Sequence, residues 1–414
     1  MAKPSVTSTS HPSGALSLDE LIDSLVVAHR SGADPLPFSG PSTCLASTRA
    51  LVEEELGALV SRMRGEEDLA QLDRLREWLD QELVRLQACF AERREPRPSW
   101  AAGHPPTALR DNQRLVMLDA LDLAPEDSLA RRTLDPGFDV ASLLVGLAIR
   151  GESRLANRAL DRYLLLSGDY ALTRLLSVFQ VARALSCARR ALQRRSEMME
   201  GEPLAHIADA VGTSRRYLAL AEKISVFRFP PLIIGTGVSG SGKSRFTANM
   251  VERLGAVRLC SDVERRRLFG ISPQDMNAEP PVDIFTDDAT SRTYQRLAEL
   301  AGTLLDAGIT TCVDATCLAR RQRKLLCQQA EARGLPVLIV SFEADDETLE
   351  ARIVRRAQRQ GVLPQASLDV LHRQQSLFEP FDSEERQHLV YLDTTAADAT
   401  DTLASLIEQR IYAG

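Results

Sequence analysis

Aromatic residues make up only 5% of this chain. Its cores must therefore be built mostly from Leu, Val and Ala, which an apolar content of 44% supplies. Basic residues are not in surplus: 50 Lys and Arg stand against 57 Asp and Glu, a net charge of −7. Bulk non-specific nucleic-acid binding needs a basic surface, so that class of partner is not expected, although a local basic groove is compatible with the balance. Cysteines number seven, are scattered, and never fall in a C-x-x-C spacing. An odd, dispersed set argues against a disulfide framework or a zinc site and for reduced thiols in a cytoplasmic setting. No run of eighteen apolar residues occurs, so no membrane partner is expected. Residues 1–15 are polar, rich in Ser, Thr and Pro at the start, and lack a signal-peptide core; they read as a disordered tail.

What is present is decisive at one place. Gly237-Val238-Ser239-Gly240-Ser241-Gly242-Lys243-Ser244 completes the pattern G-x-x-x-x-G-K-[ST]. Backbone N–H groups of such a loop wrap nucleotide phosphates, and the helix that follows turns its positive end toward them. The lysine reaches the β/γ-phosphates and the serine hydroxyl ligates Mg²⁺. The context agrees. Leu232-Ile233-Ile234 reads as a buried strand leading into the loop. Arg245 opens a helix leaving it, with Phe246, Met250, Val251 and Leu254 at helical spacing and Gly255 as its stop. ATP and Mg²⁺ are the expected cofactors, with Arg245 next to the loop.

A length of 414 residues suggests two to three domains. From about Leu16 to Ala221 the pattern is helical: Thr48–Met63, Glu67–Arg93, Leu143–Ala148, Leu155–Leu166, Ala171–Leu192 and a short helix near His206–Leu218. Leu115–Leu118 is a possible strand, and Arg194–Pro203 reads as a charged, solvated turn. From Leu232 onward the texture alternates. Strands are expected at 232–235, 257–260, 309–313, 336–341 and 388–392. Helices are expected at 243–254, 291–307, 319–333, 346–357 and 397–411. That alternation predicts an α/β domain with a five-stranded parallel sheet over 226–414, preceded by a mainly helical domain over 16–225.

Two aspartates close strands of this second half. Asp262 follows Val257–Cys260 and Asp314 follows Ile309–Val313, where parallel sheets carry their ligand crevice. Either carboxylate can take the proton of an attacking hydroxyl or support Mg²⁺. Either can equally be a helix N-cap, Asp262 for Val263–Leu268. Asp314 has the Walker-B-like arrangement and is the candidate metal ligand beside Ser244. Arginines form runs at Arg265-Arg266-Arg267 and at Arg320, Arg321, Arg323 and Lys324. Such runs are usually solvated helix faces; one or two members can instead hold an anionic substrate. Arg352, Arg355, Arg356 and Arg359 lie at i, i+3, i+4 and i+7 before the loop Gln360–Gln365. Four like charges on one stripe suggest a lid, near 352–366, closing over phosphates.

The segments Val238–Ser244, Arg258–Phe269, Thr293–Leu297 and Val313-Asp-Ala-Thr316 are similar to small AAA-type P-loop kinases, the relatives of polynucleotide kinase, gluconate kinase and zeta-toxin kinases. The resemblance runs from about Pro231 to the C-terminus. It implies transfer of the γ-phosphate of MgATP to a hydroxyl of a small molecule or nucleotide. It also implies Asp262 as base or substrate anchor, Arg265 as its companion, and Arg352 and Arg356 as the lid arginines.

The first half, at Asp135–Leu144, Arg162–Tyr170 and Val181–Leu185, resembles the C-lobe of aminoglycoside-phosphotransferase-like proteins. The catalytic stretch expected there is H-G-D. Gly103-His104 begins it, but Pro106 takes the place of the aspartate and offers no base. Asp111 falls where an Asn belongs, and Asp119 matches the metal-binding aspartate. The resemblance implies a lobe without phosphotransferase chemistry. Two alternatives to the kinase reading stay open: an ATP-dependent switch joined to an interaction module, and a bifunctional aminoglycoside phosphotransferase and ATP-binding protein. A protein partner of the helical half is compatible with either.

Overall fold

The computed structural model describes residues 15–31, 44–93, 97–98, 108–111, 114–117, 133–197, 204–273, 283–360 and 364–411. His104, Pro106, Asp119 and the lid-loop residues 361–363 lie outside the described residues. The chain divides into two compact units: Met1–Glu152 with Ser177–Ser225, and Ser153–Leu176 with Val226–Gly414.

The first unit is mainly helical. Its helices include Leu18–Ser31, Cys44–Arg62, Glu66–Arg85, Gly137–Ala148 and Leu204–Ser225. Helix Glu66–Arg85 shows why they pack. Leu72, Leu75, Leu79 and Leu83 recur at three- and four-residue spacing, and all four are buried. The strand expected at Leu115–Leu118 forms at β4 (Arg114–Met117), paired antiparallel with β3 (Ala108–Asp111). β3 also pairs in parallel with β1 (Ala15–Ser17). Asp111 thus ends a strand. Two further stubs, β2 (Arg97–Pro98) and β5 (Thr133–Leu134), pair antiparallel. Two buried ion pairs lie in this unit: Arg93 donates to both Asp135 oxygens at 2.6 and 2.9 Å, and Arg189 pairs with Glu55. Helix Thr173–Glu197, which begins in the second unit, runs past Arg194 where the charge run suggested a turn. Arginine is a good helix former, and a charged face does not stop a helix.

The second unit is built on five parallel strands: β6 (Leu232–Thr236), β7 (Val257–Cys260), β8 (Thr311–Asp314), β9 (Val337–Glu343) and β10 (Leu389–Asp393). Their order is β10-β9-β6-β8-β7. All five residues of the central β6 are buried, as a strand covered on both faces requires. Ile233, Cys312, Leu338, Val340 and Val390 form one core with Phe246 and Met250 of helix Lys243–Leu254 and Leu403 and Ile407 of helix Ala399–Ile411. Helices Ser261–Leu268, Asp287–Asp306, Arg320–Glu331 and Asp346–Gln360 complete the crossovers. This is the α/β fold the alternation predicts. One further helix, Pro364–Ser376, starts inside the expected loop Gln360–Gln365 and runs on where no element was expected. Pro364 stands at its first position, where a missing N–H costs nothing.

One piece of the helical half joins this unit, helix Ser153–Ser167 and the turn Tyr170–Leu172. β7 is an edge strand, and an edge leaves backbone groups without partners. Asp161 supplies one: its Oδ1 accepts the Arg258 N–H at 2.7 Å. Asn157 donates to the Glu252 carbonyl at 3.2 Å, and Arg267 donates to the Leu165 carbonyl. The Tyr170 hydroxyl donates to Glu264 at 3.3 Å.

Burial pushes the Asp161 carboxyl up to about 6; the Arg258 charge and N–H oppose the rise, and Asp314 adds to it. An unfolded aspartate loses its proton near pH 4. Between these values the folded chain holds the extra proton. Stability from this group is therefore fully present below about pH 4 and falls, by roughly 3 kcal/mol, as pH rises to about 6. Asp161→Asn removes that decline. Its unfolding free energy relative to wild type should rise across this window and level off above it; parallel pH curves would refute the assignment.

Candidate active site

The carboxyl ends of β6, β7 and β8 bring the sequence candidates together. Asp314 ends β8 in register with Gly235 of β6 and Cys260 of β7. The loop after β6 is therefore on one side of it, and Asp262 follows on the other.

The phosphate loop has the shape its glycines allow. Gly237 and Gly240 take φ of +140° and +84°. A Cβ at Gly237 would meet the Phe342 carbonyl at 2.8 Å, and one at Gly240 the Leu349 carbonyl at 3.0 Å. Any other residue at either place would open the loop. Gly242 turns the chain into helix Lys243–Leu254. Lys243 is buried, and its Nζ donates to the Gly237 and Val238 carbonyls at 2.7 and 2.9 Å and to the Ser241 hydroxyl at 3.4 Å. Burial pulls its pKa down; the charges of Asp314, Cys317 and Asp262 oppose this, and that of Arg356 adds to it. These groups share one electrostatic neighbourhood.

The two aspartates differ. Asp314 is buried, accepts from Thr247 Oγ1 at 3.3 Å, and has Arg258 Nη1 3.9 Å from the same oxygen. It caps no helix, because the next one starts at Arg320 after Ala319. Asp262 is exposed and lies in the first turn of helix Ser261–Leu268, whose N-cap is Cys260. The Asp262 carboxylate makes no hydrogen bond among the described residues, so the capping alternative does not describe it. Its charge acts on Lys243, Arg265 and Cys260.

Ser244 and Arg245 are exposed at the helix start. Ser244 and Asp314 offer the hard oxygen donors that Mg²⁺ takes. Among the described residues no group of three or more His, Cys, Asp or Glu is arranged to hold a metal. An ion here would draw most of its ligands from water and nucleotide phosphates, the usual Mg²⁺ pattern.

The arginines divide by partner. Arg265 is buried and donates through Nη1 to the Ile284 carbonyl at 2.8 Å and to Thr290 Oγ1 at 3.1 Å. Burial lowers its pKa, against the pull of Asp262. It ties helix Ser261–Leu268 to the start of helix Asp287–Asp306. Arg352 donates to the Gly240 carbonyl at 3.2 Å and to Thr394 Oγ1 and carbonyl at 3.0 and 3.1 Å, which braces the phosphate loop. Arg355, Arg356 and Arg359 are exposed, and only Arg356 is among the charges felt by Lys243. Gln374, on the unforeseen helix Pro364–Ser376, accepts the Ser239 N–H at 2.7 Å. Its carbonyl oxygen thus holds a loop amide.

The loop after Asp314, whose first residues Ala315-Thr316 fall in the motif read above, supports this group through contacts the sequence did not show. The Thr316 carbonyl accepts the Gly237 N–H at 3.0 Å and the Thr236 hydroxyl at 3.2 Å. Cys317 has φ +46°, a conformation that side-chain-bearing residues seldom adopt, and its N–H donates to the Tyr294 hydroxyl at 2.9 Å. Burial pushes its thiol up to about 12. Arg323, placed by the sequence in a solvated run, is fully buried. It donates to Glu385 at 2.6 and 3.1 Å, to the Cys317 and Leu318 carbonyls at 3.1 and 2.9 Å, and to the Glu379 carbonyl at 3.1 Å. Separately, a cavity of about 530 Å³ between helices Ser261–Leu268 and Asp287–Asp306 is lined by Glu264, Arg267, Arg292 and Arg296 and by none of the candidate site residues.

Residues 232–381 match the family model of an AAA domain. An uncharacterized protein of Mycobacterium tuberculosis (strain ATCC 25618 / H37Rv) is 30% identical over 247 residues, 58% of this chain and 46% of its own. One of Mycobacterium bovis matches to the same extent. The chain spans about half the length of these curated relatives. A gluconokinase from Sinorhizobium meliloti 1021 is similar at 24% identity over 44% of this chain and 96% of its own, with a TM-score of 0.31. A Mycobacterium tuberculosis APS kinase, solved with AMPPNP and APS, is similar at 18% identity over 44% and 97%, with a TM-score of 0.32.

Arg323 stands to the site as a buried strut. Arg323→Ala leaves Glu385 buried without its partner and should cost about 3–5 kcal/mol in urea unfolding. Arg323→Met combined with Glu385→Leu should recover most of that loss. A single variant as stable as wild type would show that the pair does not hold the loop.

Proposed function

We propose that the second unit is an ATP-dependent phosphotransferase that moves the γ-phosphate of MgATP to a hydroxyl of a small molecule or nucleotide. One observation carries the reading. A complete phosphate loop, a buried aspartate and an unpartnered aspartate gather at the ends of three adjacent parallel strands, with Lys243 feeling both carboxylates. The match of residues 232–381 to an AAA domain supports nucleotide binding there.

In this reading, loop amides from Gly237 to Ser244 and the Lys243 ammonium hold the phosphates. Ser244 and Asp314 would hold Mg²⁺, which would supply charge neutralisation for the phosphates. Asp262 takes the acceptor hydroxyl's proton as the new O–P bond forms and the bond to the β-phosphate oxygen breaks, leaving ADP. Arg356, exposed on helix Asp346–Gln360, would offset charge on the transferred group. Arg352 acts through the loop it braces, and Arg265 through the helix that carries Asp262. The helical half contributes no phosphotransfer of its own, since Pro106 replaces the required base. The net acidity speaks for a small acceptor over bulk nucleic acid. No described helix is long and apolar enough to cross a membrane.

Lys243→Ala should abolish tight MgATP binding in calorimetry; retained affinity would sink the loop assignment. Asp262→Asn should keep ATP binding and lower kcat about 10²–10⁴-fold. Unchanged transfer would move the base elsewhere, Asp314 first. The acceptor is sought with γ-labelled ATP offered to nucleosides, sugars, sugar acids, 5′-hydroxyl oligonucleotides and a metabolite extract. Lys243-dependent label on one acceptor names the substrate. Label found only as free phosphate would favour the switch reading, in which the Gln374 contact with the loop is the element that nucleotide displaces.

A further inference from the structure

Two arginines of helix Asp287–Asp306 have no task in the candidate active site. Arg292 and Arg296 stand one turn apart and line the cavity of about 530 Å³ between that helix and helix Ser261–Leu268. Neither guanidinium makes a hydrogen bond among the described residues. Asp288 lies 4.0 Å from Arg292, and Glu264 and Glu299 lie 3.9 Å from Arg296, all beyond hydrogen-bond reach. Like charges at this spacing repel, and an anion between them removes the repulsion. Arg267 adds a third guanidinium to the lining, held by Glu264 and by the Leu165 carbonyl. Glu264 itself has a side chain only 1% exposed. Its Oε1 accepts from Arg267 and from the Tyr170 hydroxyl, while its Oε2 is buried without a hydrogen bond. The wall of this cavity therefore carries hydrogen-bonding capacity that the described chain does not fill. Glu264, Arg267 and Leu268 share one face of their helix, and Asp262 sits about 160° round from Glu264. The cavity is on the far side of the helix from the candidate base.

We propose that this cavity is a binding site for a phosphorylated sugar, separate from the phosphate loop. The phosphate goes to Arg292 and Arg296. A guanidinium presents a planar fork of N–H donors, and a phosphate group has enough oxygens to serve two forks at once. With Arg267 and Glu264 paired to each other, the charge left on the lining is two guanidiniums against the one carboxylate of Glu299, which favours an anion. Inorganic phosphate alone would leave most of the cavity empty, and the volume falls in the range that small organic ligands take. The remaining lining suits hydroxyl groups. Glu299 and Gln295 are exposed there, a carboxylate to accept and an amide to accept or donate. Leu268 offers apolar surface, but the Phe269 ring is covered by Arg292 at 5.5 Å, so nothing in the lining is placed to stack a nucleobase. A sugar ring fits this chemistry and a base does not.

The test is calorimetry on the full chain, wild type and Lys243→Ala, the second to weaken competition from the phosphate loop. Ribose 5-phosphate, glucose 6-phosphate, AMP, inorganic phosphate, ribose and glucose are titrated in turn, without nucleotide triphosphate. At least one sugar phosphate should bind both proteins with a Kd below about 1 mM, and about tenfold or more tighter than inorganic phosphate, AMP or the free sugar. Arg292→Met and Arg296→Met, each added to Lys243→Ala, should weaken that binding about tenfold or more, the size of a lost charge-assisted hydrogen bond. Both substitutions keep an aliphatic stem at a position open to water, so the thermal midpoint should not move. Glu299→Gln should weaken the sugar phosphate and leave inorganic phosphate no weaker. Four results would each overturn the proposal: no sugar phosphate bound below about 1 mM, an affinity untouched by both arginine changes, AMP or inorganic phosphate bound as tightly as the sugar phosphates, or binding lost in Lys243→Ala, which places the ligand at the phosphate loop. None of these readouts needs phosphotransfer, so the site stands or falls apart from the kinase reading.

Discussion

The carbonyl of Thr316 is the hinge pin of the candidate site. It accepts the first amide of the phosphate loop and the hydroxyl of the residue before it. The loop thus leaves β6 already tied to the segment that leaves β8. That segment is held in turn by the Tyr294 hydroxyl at Cys317 and by the buried Arg323. A phosphate cradle works only if its amides point inward before the ligand arrives. Here that preorganisation comes from neighbours on β8 and beyond as well as from the loop's own glycines and lysine.

The distribution of charge follows the same logic. Three buried cations near the site are matched by oxygen: Lys243 by loop carbonyls and a hydroxyl, Arg265 by Ile284 and Thr290, Arg323 by Glu385 and three carbonyls. Carbonyl partners orient a cation without cancelling its charge, so Lys243 keeps a positive field where phosphates would come. The exposed carboxylate of Asp262 makes no such hydrogen bond among the described residues.

Much of this was readable in the chain. The phosphate loop declares itself because close backbone approach demands glycine at Gly237 and Gly240. The five strands declare themselves because a sheet covered on both faces needs unbroken apolar runs such as Leu232–Ile234. Asp314 stood out as a carboxylate closing such a run. What stayed hidden depends on partners far away in sequence. Arg323 looks like any member of a basic run; its burial is decided by Glu385, sixty-two residues on. Asp161 sits among polar residues of an ordinary amphipathic helix, and only the edge of β7 gives it a task. The start of helix Pro364–Ser376 was masked by its leading proline, which fell in the expected loop Gln360–Gln365. Arg265 was legible as important, yet its anchoring to Ile284 was not.

Asp161 and its helix also change how the molecule can be taken apart. The chain passes from the first unit to the second at Ser153, returns at Ser177, and crosses again after Ser225. Three crossings mean that no single cut yields both units whole. A protease nick or a cloning boundary near residue 226 would leave β7 with a bare edge and strand Asp161 on the wrong fragment. During synthesis the same interleaving makes the second unit wait, since its earliest helix is made long before the strand it covers. The contact between Asp161 and Arg258 closes a loop of ninety-seven residues, an entropic step that only the late strands can repay. In its connectivity the protein is one polypeptide knit from two alternating threads, and a cut near residue 226 parts Ser153–Leu176 from the rest of the second unit.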